Sequence, residues 1–415
     1  MLILTGSVMN TYAQWFKKNK KPEPDYGFHL LTSDKSIHLD FKVFSNLIVV
    51  PVVIDDLDTL QFILDTGVSS IIITDPALKE KLNLKHVREV QISGAGEEKP
   101  ITASVSVGHK FQMGDFVGYQ QNMVILNEDI LQLSEFIGTP IHGIFGHCLF
   151  ENYVVSIDFT AFVLSIYKPD KFKFRKRYGD KYPIVVTEGK PYTDAMKITA
   201  SNFKETNVRL VIDTGAGHAL LLNSDDTTIT LPEKVIRANL GRGLNGELYG
   251  NIGRVDKIKM GKYEMKDVLA TFPDSLSFSM KFPPSDANRQ GSIGGELLRR
   301  FRVTLNYPEG YMALKANKKR FNQPFEHDMS GMDVRAYSGN YHRFYVKYIS
   351  ENSPAEEAGL MADDEIVFIN NRNTNSMTIS DIYKILSKKE GKTVDIFYRR
   401  DGRLGFTSMV LRRSI

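Results

Sequence analysis

Two stretches of this chain are near copies of each other. Gln61-Phe-Ile-Leu-Asp-Thr-Gly-Val-Ser-Ser-Ile-Ile-Ile73 recurs as Arg209-Leu-Val-Ile-Asp-Thr-Gly-Ala-Gly-His-Ala-Leu-Leu221, which sets Asp65 and Asp213 148 residues apart. Downstream, His142-Gly-Ile-Phe-Gly-His-Cys-Leu149 answers Gly291-Ser-Ile-Gly-Gly-Glu-Leu-Leu298, with Gly146 and Gly295 separated by 149 residues. A third pair, Tyr153–Tyr167 and Phe301–Leu314, closes each copy, and both read as strand, turn and strand. Three ordered matches at one offset are not expected by chance, and self-similarity at a fixed period outranks single motifs as a guide to architecture. The chain contains two homologous lobes.

Each lobe is rich in short β runs bounded by Gly, Pro, Asn and Asp, such as Leu47–Ile54, Gln61–Leu64, Ile101–Val107 and Asn122–Leu126. Helical signals are brief: Asp75-Pro76 opens about two turns that end near Leu82. The lobes are therefore expected to be mainly β, closed or barrel-like. Their expected bounds are 28–168 and 184–316, joined by a charged and aromatic connection over 169–183. At 415 residues the chain has room for a third unit. A basic stretch over 317–325 marks the way into it, and 326–415 forms it.

Composition removes several classes. Hydrophobic residues at 42% and charged residues at 25% are those of a folded protein, not of a disordered, collagen-like or polytopic membrane chain. A formal net charge of +4, thinly spread, gives no case for nucleic acid as a partner, and the basic runs Lys17–Lys21 and Lys171–Arg177 read as solvated segments. A single cysteine, Cys148, excludes an internal disulfide and a cysteine-based metal site. The nine histidines include no H-E-x-x-H pair, so no metal and no cofactor is expected.

The repeated aspartates carry the chemistry. Each follows three apolar residues that read as a buried strand and precedes Thr-Gly, where glycine lets the backbone come close to whatever binds. A carboxylate leaving a hydrophobic strand is costly to bury unless it is hydrogen-bonded, paired or protonated. One such group per lobe, related by a pseudo-twofold axis, is the arrangement that brings two carboxyls face to face. At about 3 Å apart they cannot both ionise, so they share a proton. The ionised member deprotonates a water held between them, while the protonated member donates to the carbonyl oxygen under attack.

Apolar-apolar-Asp-Thr-Gly with a later apolar-Gly element in each lobe resembles the pepsin and retropepsin superfamily of aspartic peptidases, over roughly residues 28–316. Glycine-rich segments in both lobes look more like a single-chain fusion of two retropepsin-like units than like pepsin. The resemblance implies that Asp65 and Asp213 are the catalytic pair, that Thr66 and Thr214 cross-bond the two loops, and that Gly67 and Gly215 hold backbone amides near the carboxylates. It also implies that Ile144-Phe145-Gly146 and Ile293-Gly294-Gly295 pack under those loops. The chain departs from pepsin-like enzymes at Val68 and Ala216, where neither residue supplies a hydroxyl. With fewer donors to the charged form, the pair is expected to work nearer neutral pH than a gastric-type enzyme. Gly217 replaces Ser69 of the first copy and is expected to leave the second loop less braced.

Val90-Gln-Ile-Ser-Gly94-Ala95-Gly96-Glu-Glu98 and Asn239-Leu-Gly241-Arg-Gly243-Leu-Asn-Gly246-Glu-Leu-Tyr249 are candidate flaps, mobile hairpins that close over an extended peptide. The second also fits a dinucleotide fingerprint, but glycines and alternating residues follow it where that motif needs a helix. His147, Cys148 and His218 lie near the motifs with no third ligand spaced to join them, and Cys148 reads as a small buried apolar residue.

In the third unit, Tyr345–Leu360 reads as a strand, a short helix capped by Ser353 with Pro354 at its first position, and a glycine stop at Gly359. A strand over 362–369, a helix from Ser380 to Lys388 and a hairpin at Asp401-Gly402 complete the pattern. This resembles a PDZ domain of the bacterial, protease-associated kind. Such domains add a peptide strand to a sheet edge and hold its C-terminal carboxylate on backbone amides. By similarity the carboxylate loop runs through Ser330, Gly331, Met332 and Asp333 to Val334, with Asp333 unwelcome beside a bound carboxylate.

Met1–Gln14 is apolar, then small and polar, and resembles the later part of a secretory signal cleaved after Ala13, without the basic first part. Export to the periplasm or exterior of a bacterial-type cell is expected, with no membrane span in the mature protein. The expected function is an exported aspartic endopeptidase acting on peptide or protein substrates, its PDZ unit recruiting substrate or gating the cleft. A catalytically silent peptide-binding scaffold is the alternative. A two-carboxylate glycosidase fits less well, because its carboxyls stand about 5 Å or more apart.

Overall fold

Apolar residues at every second position make Leu47–Ile54 a strand whose Val50, Val52 and Ile54 are wholly buried, and the same alternation builds most of the chain. The computed structural model describes residues 26–415 except 83, 85–86, 93, 95–99, 201–204, 225, 227 and 275–288. The signal-like segment, Trp15, the lysine run 17–21, Ala95 and Gly96 lie outside the described residues.

In the first lobe, Leu47–Ile54, Leu60–Leu64, Gly143–Phe145, Ile71–Ile73, Phe116–Leu126 and Ile101–Met113 pair in that order, and the last pairs back onto the first. Six strands therefore close into a ring. In the second lobe, Lys190–Thr199, Glu205–Ile212, Gly291–Ile293, Leu220–Leu222, Tyr263–Pro273 and Gly246–Met260 close in the same order. The fold is mainly β, with two homologous β-barrel lobes, as the repeat demands. In each ring the strand that leads into Asp-Thr-Gly lies parallel to the downstream apolar-Gly strand, although nearly 80 residues separate them.

A six-stranded sheet joins the lobes. Its order is Asp180–Pro183, Tyr311–Ala316, Phe301–Asn306, Val154–Asp158, Val163–Tyr167 and Ser36–Asp40, so three strands from each half meet at the pairing of Val154–Asp158 with Phe301–Asn306. Across that seam Thr304 Oγ1 donates to Ser156 Oγ at 2.9 Å, and Arg302 pairs with Asp158. One apolar cluster runs from Phe62 and Phe145 of the first lobe to Leu210, Ile293 and Phe301 of the second. Burying each such side chain contributes about 1.5–3 kcal/mol.

The third unit has its own core, centred on Val334, Phe344, Ile369, Ile382 and Ile396. Its sheet runs Met332–Tyr337, Asn340–Ile349, Glu365–Ile369, Thr393–Arg400 and Arg403–Val410. Ser353 Oγ accepts from Glu356 N–H and caps Pro354–Glu357, and Thr378 and Asp381 form a reciprocal cap for Ile379–Leu386. The basic stretch before this unit is pinned in place: buried Arg300 donates to the carbonyls of Arg320, Phe321, Gln323 and Pro324 and lies 3.5 Å over the Phe325 ring. The unit also rests on the first lobe. The Arg335 guanidinium sits 4.6 Å above Phe136 of the helix Leu133–Ile137, and the Tyr345 hydroxyl donates to Glu135 at 3.4 Å.

Candidate active site

Asp65 and Asp213 emerge where their strands end. The backbone N–H of Asp65 donates to Phe145 and that of Asp213 to Ile293, each at 2.9 Å, so the downstream strand fixes the point at which the carboxylate leaves the sheet. The turns that follow are closed the same way, His147 N–H to Val68 and Gly295 N–H to Ala216. A Cβ on Gly146 would lie 2.4 Å from the Ser70 carbonyl oxygen, and one on Gly294 2.3 Å from that of His218, which is why the element beneath each loop carries glycine.

The threonines bind across the axis. Thr66 N–H donates to Thr214 Oγ1 at 3.1 Å and Thr214 N–H to Thr66 Oγ1 at 3.0 Å. Each hydroxyl donates onward, Thr66 to the Ile212 carbonyl and Thr214 to that of Leu64. All four groups are buried, so the symmetric exchange satisfies donors and acceptors that would otherwise be stranded. The same lock brings the two carboxyls together. The point where a Cβ of Gly67 would sit is 3.1 Å from both Asp65 Oδ1 and Asp213 Oδ1, and that of Gly215 is 2.1 Å from Asp65 Oδ2. Gly67 N–H donates to Asp65 Oδ1 at 2.6 Å and Gly215 N–H to Asp213 Oδ1 at 3.1 Å. Asp65 is 8% exposed and Asp213 6%.

Two neighbours were not legible near the motif. Asn46, in a turn where Ser45 and Asn46 both have positive φ, donates through Nδ2 to the Gly217 carbonyl at 3.0 Å. The second loop, which the sequence leaves underbraced at Gly217, is thus held from the opposite lobe. Tyr307 stacks on Phe150 with ring centroids 5.6 Å apart. Burial, and after it the charge of Asp65, pushes its phenol well above the ordinary tyrosine range.

The second candidate flap is a hairpin of Val235–Gly243 and Gly246–Met260 turning at Leu244-Asn245, with positive φ at Gly241 and Gly246; no helix follows, which disposes of the dinucleotide motif. Its tip touches the other lobe: Gly94 N–H donates to Asn245 Oδ1, and the Leu244 side chain packs on Gly94. Below this contact lies a cleft of about 1080 Å³. Its lining includes apolar Val43, Ile63, Ile72 and Ile144 from the first lobe and Leu221 and Leu240 from the second, alongside Ser45, Ser69 and Ser70.

In the third unit, Gly331 N–H donates to Asp328 Oδ2 at 2.6 Å and Val334 N–H to the Tyr383 hydroxyl at 3.0 Å. Met332 N–H donates to Ser330 Oγ, and Asp333 is paired with Arg335 at 2.8 Å. Burial pushes Asp328 up to about 6 against the pull of the Ser330 and Gly331 donors.

Two other groups look chemical and are not. Asp55, His109 and Ser106 are linked in series, His109 Nε2 to Ser106 Oγ at 2.7 Å, but Ser106 and His109 are wholly buried, so the chain braces a register shift in Ile101–Met113 and meets no substrate. Cys148 is half-buried where a buried residue is expected, and desolvation of its thiol pushes it up to about 12, away from thiolate chemistry. Among the described residues no helix is long and apolar enough to cross a membrane.

The aspartyl protease family profile matches residues 50–147 and again 199–297, and the PDZ domain profile matches 345–400. The chain therefore carries two segments that match the aspartyl protease family, followed by a segment that matches the PDZ domain. No curated protein matches it. Among solved structures it is similar to a photosystem II D1 C-terminal processing protease, at 18% identity over 22% of this chain and 23% of that one, with a TM-score of 0.20. It is also similar to the HtrA3 PDZ domain bound to the phage-derived ligand FGRWV, at 18% identity over 20% of this chain and 85% of that one, with a TM-score of 0.18. The chain thus spans about a quarter of the length of the first.

Proposed function

We propose that this protein is an aspartic endopeptidase with a PDZ module, exported from a bacterial-type cell, with lobes over 28–168 and 184–316, linkers over 169–183 and 317–325 and a PDZ domain over 326–415. The observation that carries this reading is the reciprocal Thr66–Thr214 bonding, which holds one aspartate from each lobe over a common point. Asp65 and Asp213 share a proton; one deprotonates a bound water and the other donates to the scissile carbonyl oxygen as it gains charge. The amides of Gly67 and Gly215 keep the carboxyls aimed, and the Gly94–Asn245 contact bridges the two flap candidates across the cleft. The apolar residues in its lining suit hydrophobic side chains near the cut. The PDZ domain contributes a peptide-binding surface.

Peptide cleavage sensitive to a statine-type inhibitor is expected, falling by about 10³-fold or more in Asp65→Asn and in Asp213→Asn. Undiminished cleavage by either variant overturns the reading, and peptide binding with no cleavage supports a silent scaffold. With Val68 and Ala216 lacking hydroxyls, an activity maximum above about pH 4 is expected.

A further inference from the structure

The cleft over Asp65 and Asp213 does not stop at the flap hairpin: Ser380, Tyr383, Lys384 and Ser387 line it as well. These positions recur at i, i+3, i+4 and i+7, so one face of the helix Ile379–Leu386 and its cap looks into the cavity. That helix stands beside Met332–Tyr337, an edge strand paired only with Asn340–Ile349 among the described residues. The furrow in which a PDZ domain takes up a peptide strand therefore opens onto the two aspartates.

The backbone donors at Ser330, Gly331, Met332 and Val334 are already engaged. Gly331 and Ser330 N–H groups donate to Asp328, and Val334 N–H donates to Tyr383. A terminal carboxylate arriving there meets a carboxylate instead of free amides. What remains is the helix face, and its charged member is Lys384, with a side chain 75% exposed. Its contact with Asp381 at 3.2 Å is a surface pair of little energetic weight. Arg242 and Arg335 line the same end of the cleft, while their partners Glu247 and Asp333 do not. Glu296, Glu326 and Asp328 also line the cleft, but apart from the two aspartates of the dyad seven Lys and Arg residues line it too, so its wall carries more cations than carboxylates.

We propose that this helix face is a distal substrate subsite of the protease: it receives an internal, acidic stretch of the same polypeptide whose scissile bond lies at Asp65 and Asp213, and not a free C-terminus. The inference rests on the peptidase reading. A remote segment held here raises the local concentration of the scissile bond at the dyad and spends binding energy away from the reacting atoms.

The test uses the full chain and one cleavable core of about six residues, alone or extended to about 16 residues on either side with acidic or basic sequence, which reaches roughly 50 Å when extended. Each peptide is made as the free acid and the amide. The acidic extension is expected to lower KM about tenfold in one of the two directions, equally for acid and amide, and the basic extension to give no gain. In Lys384→Glu the advantage of the acidic extension disappears and the basic one is favoured instead. Equal KM for short and long peptides, a gain that persists in Lys384→Glu, or a gain that needs a free terminal carboxylate overturns the proposal. If no peptide is cut at all, the peptidase reading has failed separately. Fluorescence anisotropy of the labelled acidic peptides then still decides the subsite: weaker binding to Lys384→Glu supports it, and unchanged binding overturns it.

Discussion

A methyl group at Gly215 has nowhere to go. Its carbon would stand 2.1 Å from Asp65 Cγ, far inside any real contact, so the loop must shift and take the dyad geometry with it. Gly215→Ala is expected to abolish cleavage, read as kcat/KM. Asn46→Ala is a gentler test: losing its bond to Gly217 should cost about 0.5–1.5 kcal/mol of stability and lower kcat with little change in KM, as a denaturant midpoint and steady-state kinetics would show. At this scale the sequence was legible where chemistry and spacing coincide. The doubled Asp-Thr-Gly named the carboxylates, the threonines and the glycines because each residue's type is dictated by its close neighbours. Asn46 escaped because its partner lies in the other lobe, and nothing in Phe44-Ser-Asn-Leu47 beyond a turn signal points there.

Among the elements, the PDZ loop carries a buried carboxyl whose titration bears on stability. The folded pKa of Asp328, about 6, lies above that of an exposed aspartate because the carboxyl is buried. As pH falls, the folded state takes up this proton before the unfolded state does, so this group adds stability between about pH 6 and pH 4 instead of removing it. The full effect is of order 2–3 kcal/mol. Thermal melts of the protein at pH 7 and pH 5 should show a relative gain for the PDZ transition, and Asp328→Asn should erase that difference. Buried His327, whose imidazole is held below its usual range, pulls the other way, so the wild type is compared with Asp328→Asn, and an identical pH response of the two contradicts the assignment. The element pattern itself was largely readable: Ser353-Pro354, Gly359 and Asp401-Gly402 act through their own backbone geometry, and they end elements where such residues must. The occupant of the Gly331 amide was not readable, since Asp328 caps it from a position that the carboxylate-loop resemblance does not weigh.

For the molecule as a whole, the apolar clusters divide the chain differently from the repeat. One cluster spans both lobes, and a second belongs to the PDZ domain alone. Calorimetry should therefore give one transition for the two lobes together and one for the PDZ domain; a scan that separates the lobes contradicts this. The 148-residue offset foretold the two lobes but not their shared sheet, because strand order across a pseudo-twofold seam is decided by which edges meet and not by local sequence. That seam has a practical consequence. With three strands on each side and the threonine lock above them, a polypeptide nicked once between 169 and 179 is expected to keep its halves as complementary fragments, so that the gene for this protein could be divided there and its products left to reassemble without a tether.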